Sequence, residues 1–285
     1  MMEKTPLYAF FGHHKCASTF ITDVINSVCW ELGLKPESVG SPETFNFNLE
    51  NFVNDSKLDF LIYYSSNDNY VKRLKNLVGF HVIRDPRDIL ISAYYSHLKT
   101  HSTRNWPNLA VHRKELQGLS KQEGLMCEME CRVDQFNRMA EWNYQRPYIL
   151  ELKFEELVKA PVDSFKSIFR FLGLLEEGPD SFHRAFLQFL MRTSLAVRGR
   201  SGDRLRLLPY PKSLSIERLA RIVCNHDFRK KSGGRKPGEE DLSSHYRKGV
   251  PGDWRSHFTP TVKSEFKRRY NDLLIGLNYE KNSDW

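Results

Sequence analysis

An uncharged run, Leu7–Gly12 (LYAFFG), leads into a polar turn, His13–Thr19 (HHKCAST), and the turn leads into a helical pattern. Phe20, Ile21, Val24, Ile25, Val28 and Leu32 recur at i, i+1, i+4, i+5, i+8 and i+12, one face of a helix that ends near Gly33. A buried strand, a tight turn and an amphipathic helix in that order begin a parallel sheet. Parallel neighbours need crossovers, and crossovers cover both sheet faces with helices. Leu58–Tyr64, Val78–Arg84 and Tyr148–Lys153 are further strand candidates. Asp85 and Pro86 spell an N-cap and first helical position for a helix through Ile89, Leu90, Ala93 and Tyr94 towards Leu98. Phe165, Ile168, Phe169 and Leu172 mark another helix, while residues 100–147, broken by Pro107, Gly118 and Gly124, read as helix and loop by turns. The expected fold is α/β, a parallel sheet flanked by helices. No repeat or composition break divides residues 1–285, so one domain is expected, with a mobile surface loop at Lys230–Ser244 (KKSGGRKPGEEDLSS). Trp30, Trp142 and most other aromatics are assigned to the core.

Composition narrows the partners. No apolar run approaches the roughly 18 to 20 residues of a membrane span, and the N-terminus has no signal-peptide pattern, so a cytoplasmic location is expected. Residues 1–191 carry 22 Lys/Arg against 24 Asp/Glu, whereas residues 192–285 carry 21 against 11. A basic final third suits nucleic acid, a membrane surface or a small polyanion. The five cysteines, Cys16, Cys29, Cys127, Cys131 and Cys224, have no framework spacing. Cys127 and Cys131 can share a helix face, but a closed metal site wants further nitrogen or sulfur ligands, and the neighbours on offer are Glu128 and Glu130. Reduced, unpaired thiols and no metal are the expectation.

The first strand–turn–helix of such a sheet is where a phosphate docks, against helix N–H groups and the positive end of the macrodipole. The standard nucleotide loop, G-x-x-x-x-G-K-[ST], places lysine late with a Mg²⁺-binding hydroxyl after it. Here Lys15 follows Gly12 by three residues, and Ser18 and Thr19 come after Cys16 and Ala17. A Mg²⁺-dependent ATP or GTP hydrolase is disfavoured.

The stretch His14-Lys15-Cys16-Ala17-Ser18-Thr19-Phe20 resembles the 5′-phosphosulfate loop of the cytosolic-type sulfotransferases that use 3′-phosphoadenosine 5′-phosphosulfate (PAPS), commonly P-K-S/A-G-T-T-W. Ala17 replaces a glycine, so the turn is expected to manage without a strongly positive φ there. Phe20 replaces a tryptophan and loses its N–H. The segment His81–Leu98 (HVIRDPRDILISAYYSHL) resembles the family's 3′-phosphate segment, with Arg84 and Ser92 in the matching places. Arg84 leaves the end of a strand, where it can grip a phosphate bidentately, and Ser92 can add a hydrogen bond. Arg87 and Asp88 are read instead as a local ion-pair cluster. His245–Pro260 (HYRKGVPGDWRSHFTP) is similar to the family's R-K-G-x-x-G-D-W-x-x-x-F-T segment almost residue for residue. The resemblance implies that Arg247, Lys248 and Gly249 approach the 3′-phosphate and that Phe228 stacks on adenine. Phe154-Glu155-Glu156 stands where a tyrosine often precedes the acidic pair, and Phe154 is expected only to pack.

These motifs run from one end of the chain to the other. They imply the P-loop-like sulfotransferase fold, PAPS as co-substrate without a required metal, and sulfuryl transfer to a hydroxyl or amine of a small-molecule acceptor. Nucleic acid is not an expected partner. In such transfer charge builds on the leaving oxygen, and an early lysine can face it; Lys15 takes that role. Cytosolic relatives commonly use a histidine after the second core strand, but the segment Tyr63–Asn69 (YYSSNDN) has none. Asp68 is the first candidate base, with His14, His97 and His101 behind it. Residues 99–147 and 179–216 are the expected walls of the acceptor pocket. The competing reading is a non-catalytic nucleotide- or polyanion-binding protein using the same basic cleft.

Overall fold

The computed structural model describes residues 5–104, 106–176 and 210–285. Five strands, β1 (Leu7–Gly12), β2 (Pro36–Val39), β3 (Phe60–Tyr63), β4 (Leu77–Ile83) and β5 (Ile149–Lys153), form one sheet in the order β2-β3-β1-β4-β5. Every pairing is parallel. β2 escaped the sequence reading for a physical reason. It is an edge strand of sequence PESV with Glu37 and Ser38 exposed, so it shows neither an apolar run nor alternation.

The helices are α1 (Ser18–Leu32), α2 (Leu49–Ser56), α3 (Asp68–Val71), α4 (Pro86–Tyr95), α5 (Pro107–Gly118), α6 (Lys121–Cys131), α7 (Val133–Glu141), α8 (Phe154–Lys159), α9 (Pro161–Phe171), α10 (Ile216–Asn225), α11 (Phe228–Lys231) and α12 (Pro260–Gly276). α1 stops at Gly33, whose φ of 67° lets its N–H reach back to the Cys29 carbonyl. The α4 helix starts as its sequence requires, with Asp85 accepting the Arg87 N–H and Pro86 in the first turn. It runs on into a wider π turn at Ser96–Thr100, which buries His97 and releases His101 at its end.

One sheet face presents Tyr8, Phe10, Phe60, Ile62, Phe80 and Val82 to the apolar sides of α1, α8, α9 and α10. The other presents Leu7, Ala9, Phe11, Leu61 and Tyr63 to Leu49, Val71 and Trp142. A third cluster joins Ile89 and Leu90 of α4 to Met129, Phe136, Phe266 and Tyr270. Each such side chain withdrawn from water contributes about 1.5–3 kcal/mol. Trp142 is in the core as expected, but Trp30 is 65% exposed, on the outer side of α1. Its neighbours Val28 and Cys29 carry the buried face, and position 30 falls off that stripe.

The strand order reverses beside β1, between β3 and β4, so the crevice for a ligand opens over the carboxyl ends of β1 and β4. No helix among the described residues is long and apolar enough to cross a membrane. Of the expected acceptor-pocket walls, residues 179–209 lie outside the described residues.

Candidate active site

β1 delivers Gly12 to the crevice, and the following loop locks it there. Gly12 N–H donates to Ser66 Oγ at 3.0 Å, and Ser66 N–H donates back to the Gly12 carbonyl at 2.9 Å. Ser66 is fully buried, and its role is to hold the turn. Within the turn Lys15 and Ala17 both take left-handed conformations, φ 68° and 63°. This corrects the expectation for Ala17. Wrapping backbone around an anion requires alternating hands, and the chain tolerates an alanine where glycine is cheaper. The side chain of Cys16 turns into the core rather than the crevice, and its N–H is taken by the His13 carbonyl at 3.1 Å. Cys16 therefore supports the turn instead of lining the site. Burial pushes its thiol up to about 12, so it is not a nucleophile.

β4 delivers Arg84, 8% exposed, whose Nη1 donates to the Lys15 carbonyl at 3.1 Å. Its guanidinium lies 4.3 Å over the ring of Phe154, which was expected only to pack and here also positions the arginine. Arg87 does pair locally with Asp85, as expected of an ion-pair cluster, but the cluster is not on the surface: Arg87 and Asp88 are each 1% exposed. Arg87 forks onto Asp85 (2.9 and 2.8 Å), reaches Glu280 at 2.5 Å, and is stacked on Trp254 and Trp285. Asp88 accepts the N–H groups of Gly252 (2.6 Å) and Trp254 (3.0 Å). The two residues thus fasten the start of α4 to the Gly252-Asp253-Trp254 turn. That turn aims the last basic segment, because buried Asp253 pairs with both Arg247 and Lys248, the latter at 2.5 Å.

A cleft of about 720 Å³ opens where these parts meet. Lys15, Ala17, Ser18, Thr19 and Phe20 line it together with Arg84, Ser92, Phe228, Arg247, Lys248 and Gly249. Gly249 has φ 70°, and a Cβ there would sit 2.4 Å from the Phe228 ring. A glycine is required on both counts. Of the segment Lys230–Ser244, the first two residues end α11 and the remainder is irregular, with Arg235 donating to the carbonyls of Glu239, Tyr246 and Arg247. His245 closes the cleft over Thr19 at 3.3 Å.

The electrostatics follow from crowding cations into a pocket poor in water. Desolvation, reinforced by Arg84, lowers Lys15 to about 7. Burial and the nearby Lys15 depress His14, His245 and His101, the last to about 4, so all three rings are neutral bases at pH 7. Asp68 is elsewhere. Its carboxylate pairs with Arg146 at 2.6 Å and caps the Asn143 N–H, and it does not line the cleft. The first-choice base is therefore corrected: the residue anchors α3 to the segment before β5. His14 and His101 do line the cleft. Behind them, His14 Nε2 meets His97 Nε2 at 3.1 Å, and His97 Nδ1 meets Glu128 at 2.9 Å. Glu128 also pairs with Arg132, and Gln135 donates to the His14 carbonyl at 2.8 Å. An ionised carboxylate only accepts, so His97 donates from Nδ1, accepts at Nε2, and leaves the lone pair of His14 on Nδ1. This chain draws on α4–α7 and was not readable from spacing.

The comparisons with known proteins bear on the fold. Residues 73–194 match the sulfotransferase domain family. No curated protein matches the sequence significantly. Among solved structures, retinol dehydratase with androsterone and the inactive cofactor PAP is 16% identical, covers 96% of this chain and 82% of its own, and has a TM-score of 0.53. The same enzyme with retinol and PAP gives the same values. A mouse sulfotransferase complexed with PAP is 17% identical over 95% of this chain and 87% of its own, with a TM-score of 0.49. A parallel sheet of this order, flanked by helices, together with a sulfotransferase domain at residues 73–194, gives the chain the sulfotransferase fold.

Proposed function

We propose that the protein transfers a sulfuryl group from PAPS to a hydroxyl or amine of a small-molecule acceptor. The observation that carries this reading is one cleft lined by cations from three separate segments, Lys15 of the α1 turn, Arg84 after β4, and Arg247 with Lys248 from the last basic segment. Several cations converging from different loops suit a nucleotide with phosphates on both its 5′ and 3′ oxygens, as in the PAP of the retinol dehydratase complex. The left-handed turn and the α1 N-terminus receive the 5′-phosphate, Arg84, Ser92, Arg247 and Lys248 the 3′-phosphate, and Phe228 offers a face to the base.

In the reaction the acceptor oxygen attacks sulfur in line as the bond from sulfur to the 5′-phosphate oxygen breaks. The acceptor proton passes to His14 Nδ1, and the His97–Glu128 pair stabilises the imidazolium that forms. Lys15 in its ammonium form meets the charge growing on the leaving oxygen. The cations placed by the chain supply the charge stabilisation that Mg²⁺ gives phosphoryl transfer.

The test is a mass-spectrometric screen of hydroxyl and amine acceptors with PAPS. At least one acceptor class should gain the mass of a sulfuryl group, with stoichiometric release of the bisphosphate product. Tight binding of that product with no transfer to any class would favour the non-catalytic nucleotide-binding reading.

A further inference from the structure

Outside the cleft, α5 and α6 gather metal-ligating side chains, with His112, Glu115 and Cys127 in one mutually close group and Cys131 in reach of His112. Cys127 and Cys131 sit one turn apart on α6, and His112 and Glu115 sit one turn apart on α5. His112 Nδ1 lies 3.6 Å from Cys131 Sγ, 3.9 Å from Cys127 Sγ and 3.8 Å from Glu115 Oε2. The ligand atoms of His112, Glu115 and Cys127 are all within 4.8 Å of one another. Zinc bonds of about 2.0–2.3 Å put the edges of a tetrahedron at roughly 3.4–3.8 Å. The gaps around His112 are therefore already near those of a coordinated set.

The outer partner is also in place. His112 Nε2 is 2.9 Å from Glu128 Oε2, which fixes the ring and turns Nδ1 towards the two sulfurs. A carboxylate behind a ligating imidazole is the usual support for a metal-bound histidine. Glu128 is itself charge-matched by Arg132, so it serves as the support and not as a ligand. The neighbouring His14, His97 and His101 group makes a poorer metal site, because Lys15 and Arg132 stand beside it.

We propose that Cys127, Cys131, His112 and Glu115 form a structural site for zinc or a similar thiophilic divalent cation. Two thiolates, one imidazole and one carboxylate make a closed four-ligand set, and binding releases the two thiol protons to solvent. The nitrogen ligand absent from the sequence around the cysteines comes from the preceding helix. The bound ion would tie α5 to α6 and brace Glu128, which also holds His97. This proposal is independent of sulfuryl transfer.

Cobalt(II) is the direct probe. The full chain, stripped with chelator and kept reduced, is titrated with Co²⁺ and then with Zn²⁺. One equivalent should produce thiolate-to-cobalt absorption in the near ultraviolet and the visible bands of tetrahedral cobalt, and one equivalent of zinc should abolish both. Zinc should also raise the melting temperature. Cys131→Ser, at an exposed position, should fold, lose the near-ultraviolet intensity and weaken zinc by more than the roughly 10- to 100-fold of an outer-shell change. Cys127→Ser should do the same, His112→Asn should weaken zinc to a similar degree, and Cys224→Ser should behave as wild type. A missing charge-transfer band, or binding that survives Cys131→Ser or is lost with Cys224→Ser, overturns the proposal.

Discussion

Binding of 3′,5′-adenosine bisphosphate should take up a proton above neutral pH, and Lys15 should be the group that accepts it. In the free protein desolvation and Arg84 hold Lys15 at about 7. A phosphate dianion beside it should return the ammonium towards the ordinary ~10.4. The sign follows directly. The complex keeps a proton that the free protein loses, so affinity is flat below the free pKa and falls about tenfold per pH unit between the two values. Half of the free lysine is charged at pH 7 and about 1% at pH 9, so the apparent Kd should rise roughly 50-fold, or about 2.3 kcal/mol. Other groups do not obscure the window. Phosphate monoesters complete their ionisation near pH 6. His14, His101 and His245 are depressed, while Cys16 and Tyr246 are pushed up to about 12. Calorimetric titrations at pH 7, 8 and 9, in buffers of differing ionisation enthalpy, read affinity and proton uptake together. Lys15→Met should bind with no uptake and no slope. A wild-type Kd unchanged from pH 7 to 9 would refute the placement of Lys15 against the phosphate.

Other outcomes follow from the same geometry. The bisphosphate at saturation should stabilise the protein by about 2–4 kcal/mol in thermal melts, and ATP with Mg²⁺ far less, since the 3′-phosphate contacts then go unfilled; equal shifts would point to a conventional nucleotide site. Ala17→Gly should leave stability unchanged or raise it by up to about 1 kcal/mol, because φ 63° is strained for alanine; a loss above that in denaturant titration would contradict the left-handed turn. Asp68→Asn should lower stability by about 1–3 kcal/mol through the orphaned Arg146 yet leave turnover intact, whereas His14→Gln should cut kcat by roughly 10²-fold or more. The reverse ranking in steady-state kinetics would restore Asp68 as the base.

Contiguous features were legible in the sequence and assembled ones were not. Leu7–Gly12 and Val78–Arg84 are apolar and β-rich because central parallel strands are buried on both faces, so they announce themselves. Asp85-Pro86 marked the α4 start through local capping chemistry alone. Lys15 and Arg84 could be located because they follow directly on β1 and β4, whereas Arg247 was expected from the family resemblance alone and its position depends on Asp253. The edge strand Pro36–Val39 lacked the pattern, since one side of it meets solvent. Residue types could not reveal that Arg87 and Asp88 are buried ties to the Gly252–Trp254 turn, a contact across more than 160 positions. Nor could they show that Asp68 is engaged by Arg146 or that His14, His97 and Glu128 form a chain. These relations exist only after packing, and spacing carries no record of them.

The central claim is that Lys15 serves sulfuryl transfer in this cleft, and single-turnover transfer from PAPS tests it most directly. Wild type and Lys15→Met are compared at pH 7 with an acceptor from the screen and saturating donor, so that weaker binding does not enter the rate. Lys15→Met keeps the aliphatic stem and should keep the fold. Transfer in the variant should be slower by roughly 10² to 10³, the scale of losing one preorganised partner to the leaving oxygen. Equal rates in the two proteins at saturation would contradict the account and leave Lys15 as a phosphate anchor alone.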